Sequence, residues 1–517
     1  MKRTSIFLLF FITILTSIST VFLMKRKKSG FRQPIEATLQ LDKTTLGIST
    51  IVSDLNVPWE IAWGPDNQIW FTEQSGTISK VNPHTGEKKL LLTIPDVYRQ
   101  RTLGLLGMAI HPDKNKPYVF VDYTHLNKDS SIVSRLVRYT YTADTLKDPL
   151  LLLELPGNTG HNGSRVAISP DGKVLLSTGD AARDQNAPDT ASLNGKVLRL
   201  NIDGTVPADN PYPGNYMWSR GHRNIQGLVF TSKGTLFASE HGDATDDELN
   251  RIEKAGYYGW ARIEGYADRP DEKAHADSFP FIAPLKAWTP TIAPAGIDYY
   301  HSDKIPEWKN ALLLGTLKAA SLHVIHLNDA QDAVTGEDIL FAGKYGRLRD
   351  ICISPEGDVY IATSNRDWNP GKGFPLPHDD RILRIAALKP GQEIPATATR
   401  ETAKSAPVAA TATSGATLYK NYCEACHKPD GKGVPASFPP LAGNVLVTGK
   451  ATPLIQTILH GRTGNTKNKN SAYGEQMPAF NFLKDEEIAA ITTYIRNSWG
   501  NHADSIGANA ITKERQP

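Results

Sequence analysis

The sequence predicts an all-β body, a six-bladed β-propeller, followed by a small all-α domain. Two observations predict the propeller: a strand–turn–strand unit recurs through residues 45–388, and helical periodicity is absent between residues 50 and 385. A third observation, apolar residues at helical spacing near the C-terminus, predicts the all-α domain. A chain of 517 residues is long enough for two domains with large cores.

The recurring unit is a short apolar strand, a turn of the Pro-Asp-Gly type and a second strand. Clear copies begin at Ala62, Ala109, Ala167, Val229 and Cys352. The gap before the last copy is about twice the usual step, and a degenerate copy that begins at Gly296 fits into it. Six copies of this length, built of antiparallel strands, predict six blades.

Composition divides the chain into four segments. Residues 1–30 hold a long uncharged apolar run between "MKR" and "KRKK" without a small-x-small cleavage site, which predicts an uncleaved membrane anchor. The propeller covers residues 45–388. Residues 389–412 are rich in Ala, Thr and Pro and are predicted to be a flexible linker. Residues 413–502 form the C-terminal domain.

Charge and cysteine content exclude two classes of protein. The formal net charge is +3, from 57 basic and 54 acidic residues, so the chain lacks the basic excess of a nucleic-acid binder. Three cysteines cannot make a disulfide framework. Cys352 lies in "RDICISPEG", a strand-like run, and is expected to be a buried small apolar residue.

The stretch "LYKNYCEACHKPDG" carries the attachment signature of a c-type haem. Cys423 and Cys426 would form the two thioethers, and His427 would ligate the iron. Met477, in the Gly/Pro-bounded loop "GEQMPAF", is the expected sixth ligand, although a core methionine is the alternative. The run 484–499 places Ile488, Ile491 and Ile495 on one helical face, with acidic residues in the first turn.

Residues 221–266 are the densest stretch of candidate site residues in the propeller. Arg223 and Asn224 precede a strand, where a pair of donors could point at a ligand. The turn "EHGDATDDE" offers carbonyl and carboxylate oxygens, which are the ligands that Ca²⁺ prefers. Taken alone, that turn is also compatible with a solvated acidic loop.

Residues 50–388 resemble the soluble quinoprotein glucose dehydrogenases, also called aldose sugar dehydrogenases. The resemblance rests on "WGPDNQIWFTE", "LGLLGMAIHPD", "GKVLRLNIDGTVPADNP", "GHRNIQG" and "DDELN…YGW". It implies a six-bladed propeller that uses pyrroloquinoline quinone (PQQ) and calcium. The C-terminal unit resembles class I cytochrome c along its whole length, including "FPPLAGN".

The resemblance also implies roles for individual residues. His161, in "GHNGSRVAISPDG", matches the general base, and Asp180, in "LLSTGD", matches the aspartate that orients it. Arg223 and Asn224 match contacts to the quinone edge, and Arg223 would stabilise the charge that develops there. The carbonyls of Gly242 and Asp243 would hold the calcium. Four further residues match contacts to the cofactor: Thr291, Lys318, Arg347 and Arg349.

Two positions depart from the family pattern. Thr102 stands where the family often has Gln, and Gly160 stands where it often has Asp. Both family residues contact sugar rather than quinone, so the departures affect the choice of substrate more than the chemistry.

The resemblance implies a quinohaemoprotein that oxidises an aldose at C1 to a lactone. Hydride would pass to PQQ, and electrons would continue through haem c to an external acceptor such as a cytochrome or a respiratory oxidase. Covalent attachment of c-type haem in bacteria resembles a process on the export side of the membrane. We therefore expect the folded domains to lie in the periplasm, anchored to the inner membrane. One alternative is a binding or scaffold propeller without quinone, attached to an electron-carrier cytochrome. Another is a calcium-propeller lactonase, which would need carboxylate ligands in the channel.

Overall fold

Six sheets form a closed ring in the part of the chain that the structure describes. The computed structural model describes residues 33–389, 391–403, 414–435, 437–462 and 477–515. The first strand of each blade packs against the first strands of the two neighbouring blades, all the way around the ring. The predicted six-bladed β-propeller is therefore confirmed.

The strands follow the chain blade by blade. Two strands precede the first complete blade: β1 (Ala37–Gln40) and β2 (Thr45–Val52). Blade 1 contains β3 (Pro58–Trp63), β4 (Ile69–Glu73), β5 (Thr77–Val81) and β6 (Lys88–Thr93). Blade 2 contains β7 (Leu105–Ile110), β8 (Tyr118–Leu126), β9 (Ile132–Thr142) and β10 (Thr145–Pro156). Blade 3 contains β11 (Val166–Ile168), β12 (Val174–Ser177), β13 (Lys196–Leu200) and β14 (Met217–Arg220).

The second half of the ring has the same organisation. Blade 4 contains β15 (Ile225–Phe230), β16 (Leu236–Glu240), β17 (Asp247–Ile252) and β18 (Lys286–Trp288). Blade 5 contains β19 (Pro294–Tyr300), β20 (Ala311–Thr316), β21 (Leu322–Leu327) and β22 (Val334–Leu340). Blade 6 contains β23 (Leu348–Ile353), β24 (Val359–Thr363), β25 (Ile382–Ala387) and β26 (Thr399–Thr402), together with β1 and β2.

Each predicted copy of the sequence repeat corresponds to the first hairpin of a blade. The turn residue takes a left-handed conformation in four of these hairpins, with φ between 58° and 81° at Asn67, Gly172, Gly234 and Gly357. Gly and Asn adopt this conformation at little cost, which explains why the repeat ends its turn on these residue types. The degenerate copy differs because a longer loop with a 3₁₀ turn, Pro306–Trp308, joins β19 to β20.

An N-terminal strand closes the ring. β2 pairs antiparallel with β25, from Leu46 opposite Ala387 to Val52 opposite Ile382. The last blade is thus completed by a strand from the start of the chain, which fixes the first and last blades to each other.

The sheet of blade 6 extends beyond the predicted domain boundaries of 45 and 388. β1 pairs antiparallel with β2 and parallel with β26, which lies inside the stretch predicted to be a flexible linker. Part of residues 389–412 is therefore structured, because backbone hydrogen bonds to β1 order a segment that has no apolar side chains to bury. Residues 404–413 lie outside the described residues.

The propeller core lies between neighbouring blades. One cluster joins blades 6 and 1 and contains Phe71, Tyr360 and Cys352. Cys352 is only 5% exposed, as predicted for a buried small apolar residue, and burial raises the pKa of its thiol. Another cluster joins blades 5 and 6 around Trp308, which is 1% exposed.

One helix interrupts the region in which none was predicted. Helix α1 (Pro270–Ser278) begins with Pro at its N-terminus and has Asp271 and Glu272 in its first turn. Its sequence has no apolar periodicity, so the pattern that predicts helices could not reveal it; the Pro and the two acids are the available signals. Buried Glu272 accepts hydrogen bonds from the Glu264 and Arg269 amides, and these bonds connect the helix to the preceding loop.

The C-terminal domain is helical, as predicted. Its helices are α2 (Gly415–Tyr422), α3 (Glu424–His427), α4 (Val445–Thr448), α5 (Ala451–His460), α6 (Asp485–Arg496) and α7 (Ala508–Arg515). The predicted face of α6 lies in the core, with Ile488, Ile491 and Ile495 at most 3% exposed. The domain extends past the predicted end at residue 502, because Ile511 of α7 is fully buried in the same core.

No helix in the described ranges is long and apolar enough to cross a membrane. The predicted anchor at residues 1–30 lies outside those ranges.

Replacing Ile48 with Ala should weaken ring closure. Ile48 is fully buried in β2 opposite Ile385 of β25. Truncating a buried Ile to Ala costs about 2–5 kcal/mol, because transfer free energy is lost and a cavity is left. Thermal or denaturant unfolding should show that loss. The matched control is Leu90→Ala, an apolar residue that is 55% exposed on β6, which should change stability little. Equal stability of the two variants would contradict the role of β2.

Candidate functional site

A histidine–aspartate pair lies at one end of blade 3. His161 is in the loop before β11, and Asp180 follows β12. His161 Nδ1 lies 2.9 Å from Asp180 Oδ1, and the Asp180 side chain is fully buried whereas that of His161 is 26% exposed. Because a carboxylate only accepts, Nδ1–H donates and Nε2 becomes the basic nitrogen of the ring.

The backbone at this pair permits only glycine at one position. A Cβ on Gly179 would lie 2.0 Å from the His161 carbonyl oxygen. The same carbonyl accepts a hydrogen bond from the Ala181 amide at 3.0 Å. Gly179 therefore allows the His161 loop to approach the Asp180 loop closely.

Asp180 is held as an anion. Burial alone would raise the pKa of Asp180, but the hydrogen bond and charge of His161, together with Arg223, lower it below its ordinary value. Its second oxygen accepts from Trp260 Nε1 at 2.7 Å. An ionised, hydrogen-bonded carboxylate fixes the tautomer of His161 and would stabilise its protonated form.

Arg223 lies beside this pair. Its guanidinium packs over the Trp260 ring, with Cζ 5.3 Å from the ring centroid, and its Nη2 pairs with Asp243 Oδ1 at 2.8 Å. Its buried Nε–H has no partner among the described residues. The Asn224 Oδ1 accepts from the Gly163 amide at 3.1 Å, so Asn224 supports the His161 loop.

Two arginines of blade 6 share one carboxylate. Arg347 Nη2 and Arg349 Nη2 lie 3.1 Å and 2.6 Å from the same oxygen of Asp367. The predicted placement of both guanidinium groups on one side of the strand is therefore observed. Burial and the neighbouring Arg347 lower the pKa of Arg349 to about 10, despite the opposing Asp367. Within the described ranges, the Nε–H groups of both arginines are buried without a partner.

Lys318 adds a third cation from blade 5. Its Nζ donates to Thr291 Oγ1 at 2.7 Å, and burial lowers its pKa. Asp247 links this pair to blade 4, because its two oxygens accept from the Gly242 amide and from the amides of Ile292 and Ala293.

His241 lies close to cations of two blades, Arg223 and Arg349. Burial, together with the charges of Arg223 from blade 4 and Arg349 from blade 6, lowers the pKa of His241 to about 3. Its Nε2–H donates to the Pro294 carbonyl at 2.9 Å. His241 is thus neutral and lies between the cations of the two blades.

The turn at Gly242 and Asp243 exposes two carbonyl oxygens. Both backbone amides are used, by Asp247 and Glu264 respectively, whereas no donor among the described residues bonds to either carbonyl. A Cβ on Gly242 would lie 1.9 Å from the Thr245 carbonyl, so the turn requires glycine. Free carbonyl oxygens beside carboxylates fit a hard cation. No group of three or more His, Cys, Asp and Glu side chains in the described chain, this turn included, is arranged to hold a metal, so a cation here would depend on the two carbonyl oxygens.

The haem-attachment sequence forms a short helical loop. His427 is 9% exposed, and its Nδ1–H donates to the Pro439 carbonyl at 2.9 Å, which leaves Nε2 as the nitrogen able to ligate iron. Burial lowers the pKa of His427 and keeps it neutral. Cys423 and Cys426 are not joined in a disulfide. Met477 pairs with Arg462 through two backbone hydrogen bonds and packs against the domain core.

Comparisons with known proteins match both domains. The family model for glucose/sorbosone dehydrogenase matches residues 55–370, and that for cytochrome c matches residues 412–499. The chain belongs to the glucose/sorbosone dehydrogenase family.

Three relatives illustrate the match. Quinoprotein glucose dehydrogenase B of Acinetobacter calcoaceticus is 33% identical over 403 residues, which cover 60% of this chain and 84% of that protein. The PQQ-bound structure of aldose sugar dehydrogenase from Streptomyces coelicolor is 31% identical, with a TM-score of 0.57, and the alignment covers 66% of this chain and 98% of that one. Cytochrome c-552 of Thermus thermophilus is 38% identical over 104 residues, 19% of this chain and 79% of that protein.

The two departures from the family pattern lie beside His161. Thr102 Oγ1 donates to the Thr159 carbonyl at 2.9 Å, two residues before His161. A Cβ on Gly160 would meet nothing within 4 Å. The surroundings of His161 in this dehydrogenase are therefore open at Gly160.

Three residues of the site were not assigned from the sequence. Trp260 contacts both Asp180 and Arg223, Asp367 holds the two arginines, and His241 lies between cations. Trp260 stands inside a motif that carries the family resemblance and His241 inside the turn "EHGDATDDE", but neither residue type alone indicates its contact. Asp367 lies 18 residues from Arg349, and only the fold brings them together.

Replacing Asp367 with Asn should destabilise the dehydrogenase domain in a pH-dependent manner. The change leaves two buried guanidinium groups without a counter-charge, which costs about 3–5 kcal/mol. Although burial opposes it, the two arginines lower the pKa of Asp367. The stability that the carboxylate contributes is therefore complete above the ordinary Asp pKa of about 3.9 and is lost as pH falls through the lower folded-state pKa.

The free energies of unfolding of the wild type and of Asp367→Asn should thus differ at neutral pH and become equal at strongly acidic pH. The control is Asp303→Asn, an aspartate that is 83% exposed and pairs with Lys309. A pH-independent difference, or none, would contradict the role of Asp367.

Proposed function

We propose that this protein oxidises an aldose at C1 to the lactone with PQQ as the hydride acceptor. Electrons then pass through a covalent haem c of the cytochrome domain to an external acceptor such as another cytochrome or a respiratory oxidase. One observation carries the proposal: His161, hydrogen-bonded to ionised Asp180, lies close to a cluster of buried cations that includes Arg223 and Arg349.

The cation cluster fits a polycarboxylate cofactor. Arg347 and Arg349 share a single carboxylate, and their buried Nε–H groups have no hydrogen-bond partner among the described residues. The Lys318 ammonium donates to one hydroxyl, that of Thr291, among the described residues. Buried cations with unused donors require an anion. We propose that Lys318, Thr291, Arg347 and Arg349 bind PQQ, with Asn224 and Arg223 at its quinone edge.

We further propose that the carbonyls of Gly242 and Asp243 hold a calcium ion against the cofactor. When bound, the calcium-polarised quinone supplies a two-electron hydride acceptor. This assignment is supported by the unused carbonyl oxygens of the turn and by the nearby carboxylates of Asp243 and Glu264.

His161 is proposed to take the proton of the C1 hydroxyl. Its Nε2 is the basic nitrogen because Nδ1–H is donated to Asp180. One aldose loses a hydride from C1 and a proton from oxygen, which together are two electrons and two protons, and forms one lactone. Arg223 lies near enough to lower the Asp180 pKa and would stabilise negative charge that develops on the acceptor.

The cytochrome domain is proposed to carry electrons away singly. Cys423 and Cys426 would hold the porphyrin, and His427 and Met477 would ligate the iron. The His427 Nδ1–H bond to Pro439 supports this assignment, because it orients the ring and leaves Nε2 as the ligating atom. The long apolar segment in residues 1–30 and the thioether attachment support a periplasmic location at the inner membrane.

The decisive test is a substrate panel on protein reconstituted with PQQ and Ca²⁺. Aldoses should reduce an artificial dye and the haem, with the haem followed by its absorbance. A propeller that serves only for binding would reduce neither. Non-sugar alcohols in the same panel define the substrate class, and protein without PQQ provides the blank.

Replacing His161 with Ala should abolish most turnover and leave PQQ binding nearly intact. The base contacts substrate rather than the cofactor carboxylates, and a general base contributes about 10²–10⁴-fold in rate. The turnover number and the PQQ titration are measured on the same preparation. Turnover near that of the wild type would overturn the assignment of the base.

Removing the cytochrome domain should separate two activities. The cut belongs after residue 403, because β26 ends at Thr402 and is paired with β1. Dye reduction by sugar should persist, whereas reduction of a protein acceptor should fall sharply. A milder variant, Met477→Ala, should keep the haem attached but lower its reduction potential as the thioether is lost. Should the truncated protein reduce its protein acceptor as fast as the full chain, the haem is not the relay.

A further inference from the structure

The cytochrome domain contacts the propeller through a small set of side chains. The Trp368 and Phe438 rings pack with their centroids 6.0 Å apart. The Asn369 Nδ2 donates to the Ala425 carbonyl at 3.0 Å. Ala244 of the propeller packs against the apolar core of the cytochrome domain.

On the propeller side, each of these three contacts is made by a residue close in sequence to a residue of the candidate site. Ala244 follows Asp243, and Trp368 and Asn369 follow Asp367. Trp368 also packs against the Arg101 guanidinium, whose Cζ lies 4.8 Å from the ring centroid, and Arg101 precedes Thr102. Two loops of the site, one at Ala244 and one at Trp368 and Asn369, therefore contact the cytochrome domain, and Arg101 packs against Trp368.

On the cytochrome side, the contact falls on the haem-attachment loop. Ala425, which accepts the Asn369 hydrogen bond, lies between Cys423 and Cys426. Phe438 precedes Pro439, whose carbonyl orients His427.

We propose that Ala244, Trp368 and Asn369 form a docking surface for the haem-attachment loop of the same chain. Electrons pass from the quinone site to the haem when the haem-attachment loop is docked at this surface. The inference rests on the proposed function and adds to it the place where the two domains meet.

The form of the contact suits repeated electron transfer. One aldose yields two electrons, so the haem iron is reduced from Fe(III) to Fe(II) twice per turnover, and the external acceptor re-oxidises it each time. Transient electron-transfer contacts are characteristically small. A weak contact suffices here because both partners belong to one chain, which raises their effective concentration.

The first experiment measures docking without turnover. Hydrogen exchange and small-angle X-ray scattering are recorded on the haem-loaded, PQQ-free full chain. Trp368→Ala removes the ring from the propeller side, and Phe438→Ala removes it from the cytochrome side. Each variant should raise the amide hydrogen-exchange rates of residues 366–371 by about two- to tenfold, since an aromatic pair is lost. Each should also increase the radius of gyration of the protein.

Two matched controls remove exposed apolar side chains away from the contact. Leu151→Ala changes a propeller residue that is 52% exposed, and Val445→Ala changes a cytochrome residue that is 84% exposed. Neither should alter exchange or particle size. The haem spectrum of Phe438→Ala is recorded as well, so that loss of haem is distinguished from loss of docking. Unchanged exchange and size in both Trp368→Ala and Phe438→Ala would overturn the proposal.

The second experiment follows electrons in the PQQ-loaded protein. Trp368→Ala should slow sugar-driven haem reduction by about two- to tenfold in stopped flow, in proportion to the lost docked population, whereas dye reduction stays unchanged. Equal haem reduction in the variant and the wild type would overturn the docking assignment. A chain that shows the exchange protection but oxidises no sugar would support docking and contradict the proposed function, so the two failures are distinguishable.

Discussion

The antiparallel pairing of β2 with β25 closes the ring, and the site depends on that closure. Its residues come from four blades: His161 from blade 3, Arg223 from blade 4, Lys318 from blade 5 and Arg347 from blade 6. Hydrogen bonds such as those from the Gly163 amide to Asn224 and from the Ala293 amide to Asp247 join neighbouring loops in pairs. Their separations are set by the packing of each blade against its neighbours, and the β2–β25 pairing completes that packing between blades 6 and 1. A propeller can therefore hold charged groups at its channel that a single sheet could not keep in place.

The buried cations of the site are unevenly paired with its carboxylates, because Lys318 has no ion pair among the described residues although Asp247 lies nearby. Arg347 and Arg349 share Asp367, Arg223 pairs with Asp243, and Lys318 bonds a hydroxyl. Burial lowers the pKa of Lys318 and Arg349, which is the physical sign that their charge is held at a cost. Such a cluster is costly in an empty propeller, because buried charges without partners destabilise a fold. The cost is offset when an anion occupies the cluster, and this argues against a purely structural propeller.

The sequence predicts the parts of this molecule that carry a regular apolar pattern, such as the repeated hairpins and the face of α6, and misses elements that carry none. The turn residues Gly172, Gly234 and Gly357 and their flanking apolar strands predict the six hairpins. β26 was missed because its pairing depends on backbone hydrogen bonds alone, and α1 because it has no apolar face. In the site, the resemblance identified His161 and Asp180, and the structure brings them into hydrogen-bond contact. Their catalytic roles stay predictions. Asp367 could not be foreseen, since only folding places it between the two arginines.

The loop at Asp367 connects binding within the propeller to contact outside it. Asp367 neutralises Arg347 and Arg349, and the next two residues carry the aromatic and amide contacts to the cytochrome domain. A polycarboxylate that binds both arginines competes with Asp367 for the same guanidinium groups. The backbone amide of Trp368 donates to Asp367 Oδ1 at 2.7 Å. A movement of the Asp367 side chain would therefore also move Trp368. Coupling between two sites is reciprocal, so if the proposed cofactor moves Asp367 when it binds, docking at Trp368 would in turn change the affinity for that cofactor.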